Sequence, residues 1–138
     1  MWYSISSSSD IEEFMKNANW FHDGALKDAR FSFSNWVDEF GSFVMESKKK
    51  SSACLLFQFF DSKRGRIEFE MRFFGIVLAN LVGEIDGYDG LITSANVGFK
   101  DGRIFWAAHG EWSGDVSDRN IPWIIAEIAE WRLMDNET

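Results

Sequence analysis

The sequence predicts a single α+β domain over residues 1–138, built mainly from an antiparallel β-sheet with hairpins and one short N-terminal helix. Apolar residues recur at helical spacing near the N-terminus, whereas several later segments alternate apolar and polar residues as strands do. Two of these later segments meet at an Asp-Gly pair, which is typical of a tight hairpin turn. With 46% hydrophobic residues, the chain of 138 residues can form one core.

The helix is predicted to start next to Ser9, in the serine run near the N-terminus. Ser9 stands three residues before Glu12, a spacing at which each side chain can bond a free backbone N–H near the other residue. The apolar face of the helix recurs at i, i+3, i+4 and i+7 and consists of Ile11, Phe14, Met15 and Ala18. Asn19 and the pair Asp23-Gly24 then end the helical pattern.

A strand pattern begins at Ala25, after which apolar and polar residues alternate as far as Phe33. The stretch 35–52 lacks such a pattern. It contains the polar cluster Lys48-Lys49-Lys50-Ser51-Ser52, which predicts an exposed loop between strands.

The next two strand patterns are joined by a short polar loop. Residues 53–60 are almost wholly apolar, which is typical of a central strand buried on both faces. Residues 66–74 alternate apolar and charged residues, which indicates a half-exposed strand. The connection 61–65 ends in a glycine, so the two strands are predicted to form an antiparallel hairpin.

The strongest local signal is the pair Asp101-Gly102, which predicts a two-residue type I′ turn. In such a turn the numbers of facing residues add up to 203. Four facing pairs are then apolar on one face, while the other face is more polar and includes Ser94 beside His109. The apolar pairs are Phe99 with Ile104, Val97 with Trp106, Ala95 with Ala108, and Leu91 with Trp112.

The closing segment, residues 121–134, fits two structures. Its isoleucines and Trp131 recur at helical spacing, and residue propensities favour a helix. The same residues also fit a buried strand, because apolar residues occupy both alternating sets of positions.

The charge of the chain favours a basic protein partner. The net charge is −8, and the second half is the acidic one, since residues 70–138 hold twelve acids and five bases. Such a field repels nucleic-acid phosphates and anionic membranes, and it attracts cationic protein surfaces. Exposed tryptophans would suit a protein interface, although the predicted register assigns Trp106 and Trp112 to an apolar core face.

The sequence offers no signal for a cofactor, a disulfide or export. Cys54 is the single cysteine, so no internal disulfide can form. The N-terminus lacks the basic and apolar parts of a signal peptide, and the longest apolar run, residues 73–83, is about half the length of a membrane span of roughly 20 residues. These features predict a cytoplasmic protein, and the sequence leaves its oligomeric state open.

A metal site is the enzymatic alternative. The chain has two histidines, and a zinc site would need His22 and His109 to converge with carboxylates such as Asp23 and Glu111. In the structural interpretation, which we favour, Asp23-Gly24 forms a turn and His22 is a buried, hydrogen-bonded side chain that ties the helix to the sheet. No nucleophile motif is present, so catalysis by a serine or a cysteine is not indicated.

The order of a short helix, then Trp20-Phe21-His22-Asp23-Gly24, then hairpins, and a closing Ala126-Glu127-Ile128-Ala129-Glu130-Trp131-Arg132 resembles small bacterial families of unknown function. Some of these families resemble immunity proteins of polymorphic toxin systems. The resemblance implies a closing strand, and it implies no catalytic role for His22 or Asp23.

These observations lead to three hypotheses. The first is a non-enzymatic acidic binding protein, an immunity-type inhibitor of a cationic toxin, whose contact residues are Asp86, Asp89, Glu111, Asp115 and Asp118. The second is a small metal-dependent hydrolase that uses the two histidines. The third is a structural subunit of a larger assembly, which would expose a large apolar patch.

Overall fold

A computed structural model describes residues 1–33, 35–37, 39–45, 51–80, 91–92 and 94–134. It confirms an α+β fold that is mainly an antiparallel sheet with one short helix near the N-terminus. The elements, in chain order, are β1 (Tyr3–Ser4), α1 (Ser8–Asn17), a 3₁₀ turn (Asn19–Phe21), β2 (Gly24–Ser32), β3 (Asn35–Val37), β4 (Phe43–Met45), β5 (Ser52–Asp61), β6 (Gly65–Asn80), β7 (Leu91–Ile92), β8 (Asn96–Lys100), β9 (Arg103–Ala107) and β10 (Trp123–Leu133). Within these ranges, no helix has the length and apolar character needed to cross a membrane.

The main sheet has eight strands and is strongly curled. Seven strands lie in the order β7-β2-β5-β6-β10-β9-β8, and β1 pairs with β10. Phe57 of β5 and Trp106 of β9 lie three strands apart, yet their ring centroids are only 5.3 Å apart. Three strand spacings in a flat sheet would separate them by about 14 Å. The sheet therefore has a concave face, which encloses the main core, and a convex face.

Helix α1 packs its apolar side against the concave face, as its residue spacing predicts. Phe14 is fully buried, and its ring meets those of Phe21, Phe69 and Trp131 at centroid distances of 5.4 to 5.7 Å. The helix begins two residues earlier than expected. Ser7, not Ser9, is the N-cap, and its Oγ accepts a hydrogen bond from the backbone N–H of Asp10 at 3.2 Å.

The closing segment is a strand, so its residue propensities point to the wrong structure. β10 lies between β6 on one side and β9 and β1 on the other, with Ile124 opposite both Ala79 and Trp106. Ile124 and Ala126 are fully buried in the main core, and Trp123 and Ile125 are buried in a second cluster. Burial on two sides rewards β-branched and aromatic residues in a strand more than helix propensity opposes it.

The predicted register of the Asp101-Gly102 hairpin is confirmed close to the turn and is wrong farther from it. Phe99 faces Ile104 and Val97 faces Trp106, as predicted, but the ladder ends at Asn96 and Ala107. Leu91 pairs with Ala25 of β2 instead of Trp112. Trp112 also lies on the convex face, in a cluster with Phe105 and Trp123, and not beside Trp106.

Substitution of the glycine in this turn should lower the free energy of unfolding by a measurable amount. Gly102 has a φ of +77° and nothing within 4 Å of an added Cβ, so Gly102→Ala should cost only the left-handed backbone strain of about 1–2 kcal/mol. Urea denaturation would measure the loss. Gly102→Asn should lose less, because asparagine tolerates this conformation. Equal losses in the two variants would contradict a backbone origin.

The predicted hairpin between residues 53–60 and 66–74 is also present, as β5 and β6, with Asp61 opposite Gly65. β5 is central but not buried on both faces. Its odd-numbered residues are buried from Ala53 to Phe59, while Phe60 on the convex face is 69% exposed. The stretch 35–52 is not a plain loop, because β3 and β4 form a separate two-stranded sheet. Lys48-Lys49-Lys50 lies outside the described residues.

Candidate protein-binding site

The acidic loop, residues 108–122, connects β9 to β10 and packs on the convex face through tryptophan. Adjacent strand residues point to opposite faces, so Phe105 and Trp123 face away from the core that contains Trp106 and Ile124. Trp112, from the loop, stacks on Trp123 with ring centroids 5.2 Å apart and an interplanar angle of 18°. Trp112 and Trp123 are 5% and 1% exposed, so the loop has a small core of its own.

Polar side chains fasten the same loop to the sheet. Asn96 Nδ2 donates to the carbonyl of Trp112 and Lys100 Nζ donates to the carbonyl of Gly114, both at 2.8 Å. Trp123 Nε1 donates to the carbonyl of Asp118, also at 2.8 Å. Each contact satisfies a loop carbonyl with a residue of a regular strand, so the backbone of the acidic loop is held at several points along its length.

Two carboxylates of the loop also shape it. Asp115 Oδ1 accepts hydrogen bonds from Ser117 Oγ at 2.7 Å and Ser117 N at 2.9 Å, and these bonds lower the pKa of Asp115. Asp118 Oδ1 accepts a bond from the backbone N–H of Asn120 at 2.9 Å. Both aspartates therefore hold turns of the loop through these hydrogen bonds.

The third carboxylate, Glu111, is exposed, and its backbone N–H donates to Nδ1 of His109 at 3.1 Å. The structure thus brings three of the five predicted contact residues, Glu111, Asp115 and Asp118, onto one anchored loop. The other two, Asp86 and Asp89, lie outside the described residues.

The four residues of the alternative metal site, His22, Asp23, His109 and Glu111, do not form a metal-binding group among the described residues. His22 and Asp23 follow the 3₁₀ turn before β2, whereas His109 and Glu111 follow β9, and β5, β6 and β10 lie between these two strands in the sheet. Among the described residues, which include all four, no group of three histidine, cysteine or acidic side chains could hold a metal ion. In addition, Nδ1 of His109 already accepts the N–H of Glu111.

His22 is also exposed, contrary to its interpretation as a buried side chain between helix and sheet. The cause is a tight left-handed turn, in which Asn19, Trp20 and Phe21 all have φ between 52° and 58°. This turn buries Phe21, which is 2% exposed, and leaves the His22 side chain in solvent, although the backbone N–H of His22 bonds to the carbonyl of Asn19.

The convex face carries a charged network that the sequence did not reveal. Arg72 Nη2 lies 2.8 Å from Glu130 Oε2, and Arg132 Nη2 lies 2.9 Å from Glu70 Oε1. Trp2 covers both arginines, with its ring centroid 3.9 Å from the Arg72 guanidinium carbon and 4.4 Å from that of Arg132. The alternating charges of β6 were a visible signal, but their partners lie on β10, which the propensities assigned to a helix.

Cys54 joins this network as a hydrogen-bond donor. Its Sγ lies 2.8 Å from Glu70 Oε2. Burial, the hydrogen bond to Glu70 and the negative charge of that carboxylate raise the pKa of the Cys54 thiol to about 12. Burial also tends to raise the pKa of Glu70, but hydrogen bonds from Cys54 and Arg132 outweigh it and leave that pKa below its ordinary value. The thiol is therefore protonated at neutral pH and is a poor nucleophile.

Comparison with known proteins adds no assignment. No protein-family model, curated protein or solved structure matches the chain.

Proposed function

We propose that this chain is a non-enzymatic binding protein, an immunity-type inhibitor that uses the acidic loop to bind a basic surface on a protein toxin. The observation that supports the proposal is the fixed position of Glu111, Asp115 and Asp118 on a loop that is anchored by stacked tryptophans and strand side chains. A loop already ordered in the free protein loses little conformational entropy when it binds.

Charge supports the same partner class. The chain has a net charge of −8, and fixed carboxylates raise the rate at which a cationic surface associates with them. Residues 108–122 carry three carboxylates, Glu111, Asp115 and Asp118, against one arginine, Arg119, so the acidic loop itself has an excess of negative charge.

The test removes charge without removing the turn contacts. The variant Glu111→Gln, Asp115→Asn, Asp118→Asn keeps an oxygen acceptor at each position, so the loop should stay folded while losing three negative charges. The matched control, Glu12→Gln, Glu13→Gln, Asp23→Asn, removes three exposed charges from helix α1 and from the turn before β2, all outside the acidic loop. Tagged wild-type, loop-variant and control proteins are each used to capture binding partners from a lysate of the host cells, at about 50 and 500 mM salt.

We expect the wild-type and control proteins to capture one basic protein at low salt. The loop variant should capture at least about tenfold less of it. High salt should weaken the wild-type complex as well. The captured protein, expressed alone, should arrest cell growth, and co-expression of the wild-type chain but not the loop variant should restore it. Equal capture by all three proteins, or a partner without growth effect, would refute the proposal.

A further inference from the structure

Three exposed aliphatic side chains lie close together where β6 runs beside β10. Ile128 is 53% exposed, Leu78 48% and Val77 38%. Leu78 pairs with Ile125 of β10, so Leu78 and Ile128 are only three strand positions, or roughly 10 Å, apart. Apolar residues exposed singly are ordinary on a protein surface, whereas a contiguous group of them is typical of a surface that binds another molecule. We name Val77, Leu78 and Ile128 the apolar patch.

A β-bulge in β6 turns Leu78 towards the convex face. Ile76 packs against the main core on the concave face, and strict alternation along the strand would return Leu78 to that face. The pairing register shifts at this point, and Val77 is the extra residue between the two paired positions. Leu78 therefore shares the convex face with Ile125, its partner on β10. Bulges frequently serve to re-aim a side chain at a functional site.

Ile128 lies on the same face, and the apolar patch adjoins the acidic loop. The residue after Ile128, Ala129, is fully buried in the main core, so Ile128 points the other way. Ile125, which pairs with Leu78, belongs to the cluster in which Trp112 anchors the acidic loop. The convex face therefore presents exposed aliphatic side chains next to a loop that carries three carboxylates.

We propose that the apolar patch is the centre of the surface that binds the basic protein, with the acidic loop at its margin. Protein interfaces commonly have an apolar centre and a polar rim. The matching surface of the partner is then an apolar group ringed by lysine or arginine, an assignment that rests on the proposed function. A second copy of this chain fits poorly, because its net charge of −8 would be repelled by the carboxylates of the acidic loop.

The two parts of this surface should act on different steps of binding. Exposed carboxylates attract a cationic partner over a distance and mainly raise the association rate, an effect that salt screens. Apolar contacts form only once the two proteins have met, so they mainly slow dissociation. Changes in the apolar patch should therefore alter the dissociation rate, whereas changes in the loop charges should alter the association rate.

The first test locates the partner on the surface. A photo-crosslinking phenylalanine analogue replaces Leu78, Ile128, Val116 or Phe60, one position at a time, in the full chain expressed in the host cells. Val116 is an exposed residue of the acidic loop, and the exposed Phe60, opposite Arg66 at the other end of β6, is the matched control. We expect positions 78, 128 and 116 to crosslink to the same basic protein, and position 60 not to crosslink to it.

The crosslinks separate this proposal from the proposed function. Crosslinking from position 116 without crosslinking from positions 78 and 128 would overturn the apolar centre and leave the proposed function intact. A partner that the loop variant binds as well as the wild-type chain would contradict the proposed function and, with it, the basic partner assigned to the patch. The absence of crosslinks from all of these positions would overturn both.

The second test measures binding rates with the captured basic protein after purification. The variant Leu78→Ser, Ile128→Ser should dissociate at least about tenfold faster, while its association rate stays within about twofold of the wild-type value. The control Phe60→Ser should change neither rate. Both patch residues are about half exposed, so melting curves should show that the variant stays folded. An unchanged dissociation rate, or a change confined to association, would overturn the apolar centre.

Discussion

Replacing Trp123 with alanine should lower the free energy of unfolding by about 3–5 kcal/mol, the usual cost of removing a buried aromatic side chain from a core. Trp123 is 1% exposed, stacks on Trp112 and donates Nε1–H to the carbonyl of Asp118. The substitution leaves a cavity between the strand and the acidic loop, and it leaves that carbonyl without its donor. Urea denaturation, monitored by far-ultraviolet circular dichroism, measures the change in the free energy of unfolding.

The same substitution should also loosen the loop before the sheet unfolds. Arg119, which is exposed within the loop, should become a faster site of tryptic cleavage in Trp123→Ala than in the wild-type chain. Trp123→Phe is the matched control, since it keeps an aromatic ring on Trp112 and loses the hydrogen bond, at a cost of about 1–3 kcal/mol. If Trp123→Ala were as stable and as resistant to trypsin as the phenylalanine variant, the stack would not be what anchors the loop.

Local patterns in the sequence predict strands and their pairing correctly where the turn residues and the side-chain alternation indicate the same structure. The Asp101-Gly102 turn fixed the pairing of Phe99 with Ile104 and of Val97 with Trp106, because a two-residue turn leaves only one register. The same reasoning failed at Leu91. A strand can leave its hairpin partner for a distant strand, and the choice of Ala25 as its neighbour depends on the curl of the whole sheet, not on local sequence.

The closing strand shows the opposite situation, in which local preference and tertiary environment disagree. Isoleucines at 124, 125 and 128 satisfy helical spacing, but two of them are buried on opposite faces of a strand and Ile128 is 53% exposed. Sequence periodicity cannot distinguish these cases, because an apolar run fits both periods. Pairing with β6 and β9 decides the structure.

The charged residues of the candidate site could be predicted from the sequence, but the contacts that hold the acidic loop on the sheet could not. Carboxylates that cluster in a polar segment are visible in a sequence, so Glu111, Asp115 and Asp118 could be named. The anchor was not visible, since the extended register put Trp112 on the same face as Trp106. The interaction of Glu70 with Arg132 was hidden as well, because it joins residues 62 positions apart on strands whose pairing was unknown.

Cys54 should react with iodoacetamide roughly 50- to 100-fold more slowly at pH 8 than an unhindered thiol. With a pKa of about 12, its thiolate fraction is more than a thousandfold below that of an ordinary cysteine of pKa about 8.5. The greater nucleophilicity of a more basic thiolate recovers part of this difference. The rate should also keep rising about tenfold per pH unit from pH 8 to 10, whereas an ordinary thiol levels off near its pKa.

Glu70 provides the test of the cause. Glu70→Gln removes the negative charge that faces the Cys54 sulfur, so the pKa of the thiol should fall and the alkylation rate at pH 8 should increase. Glu68→Gln, on the same face of β6 and bonded to Gln58, removes an equal charge away from the sulfur and should leave the rate unchanged. Steric shielding alone would slow the reaction by the same factor at every pH. A wild-type rate that levels off near pH 9 would therefore assign the slow reaction to shielding and not to the pKa.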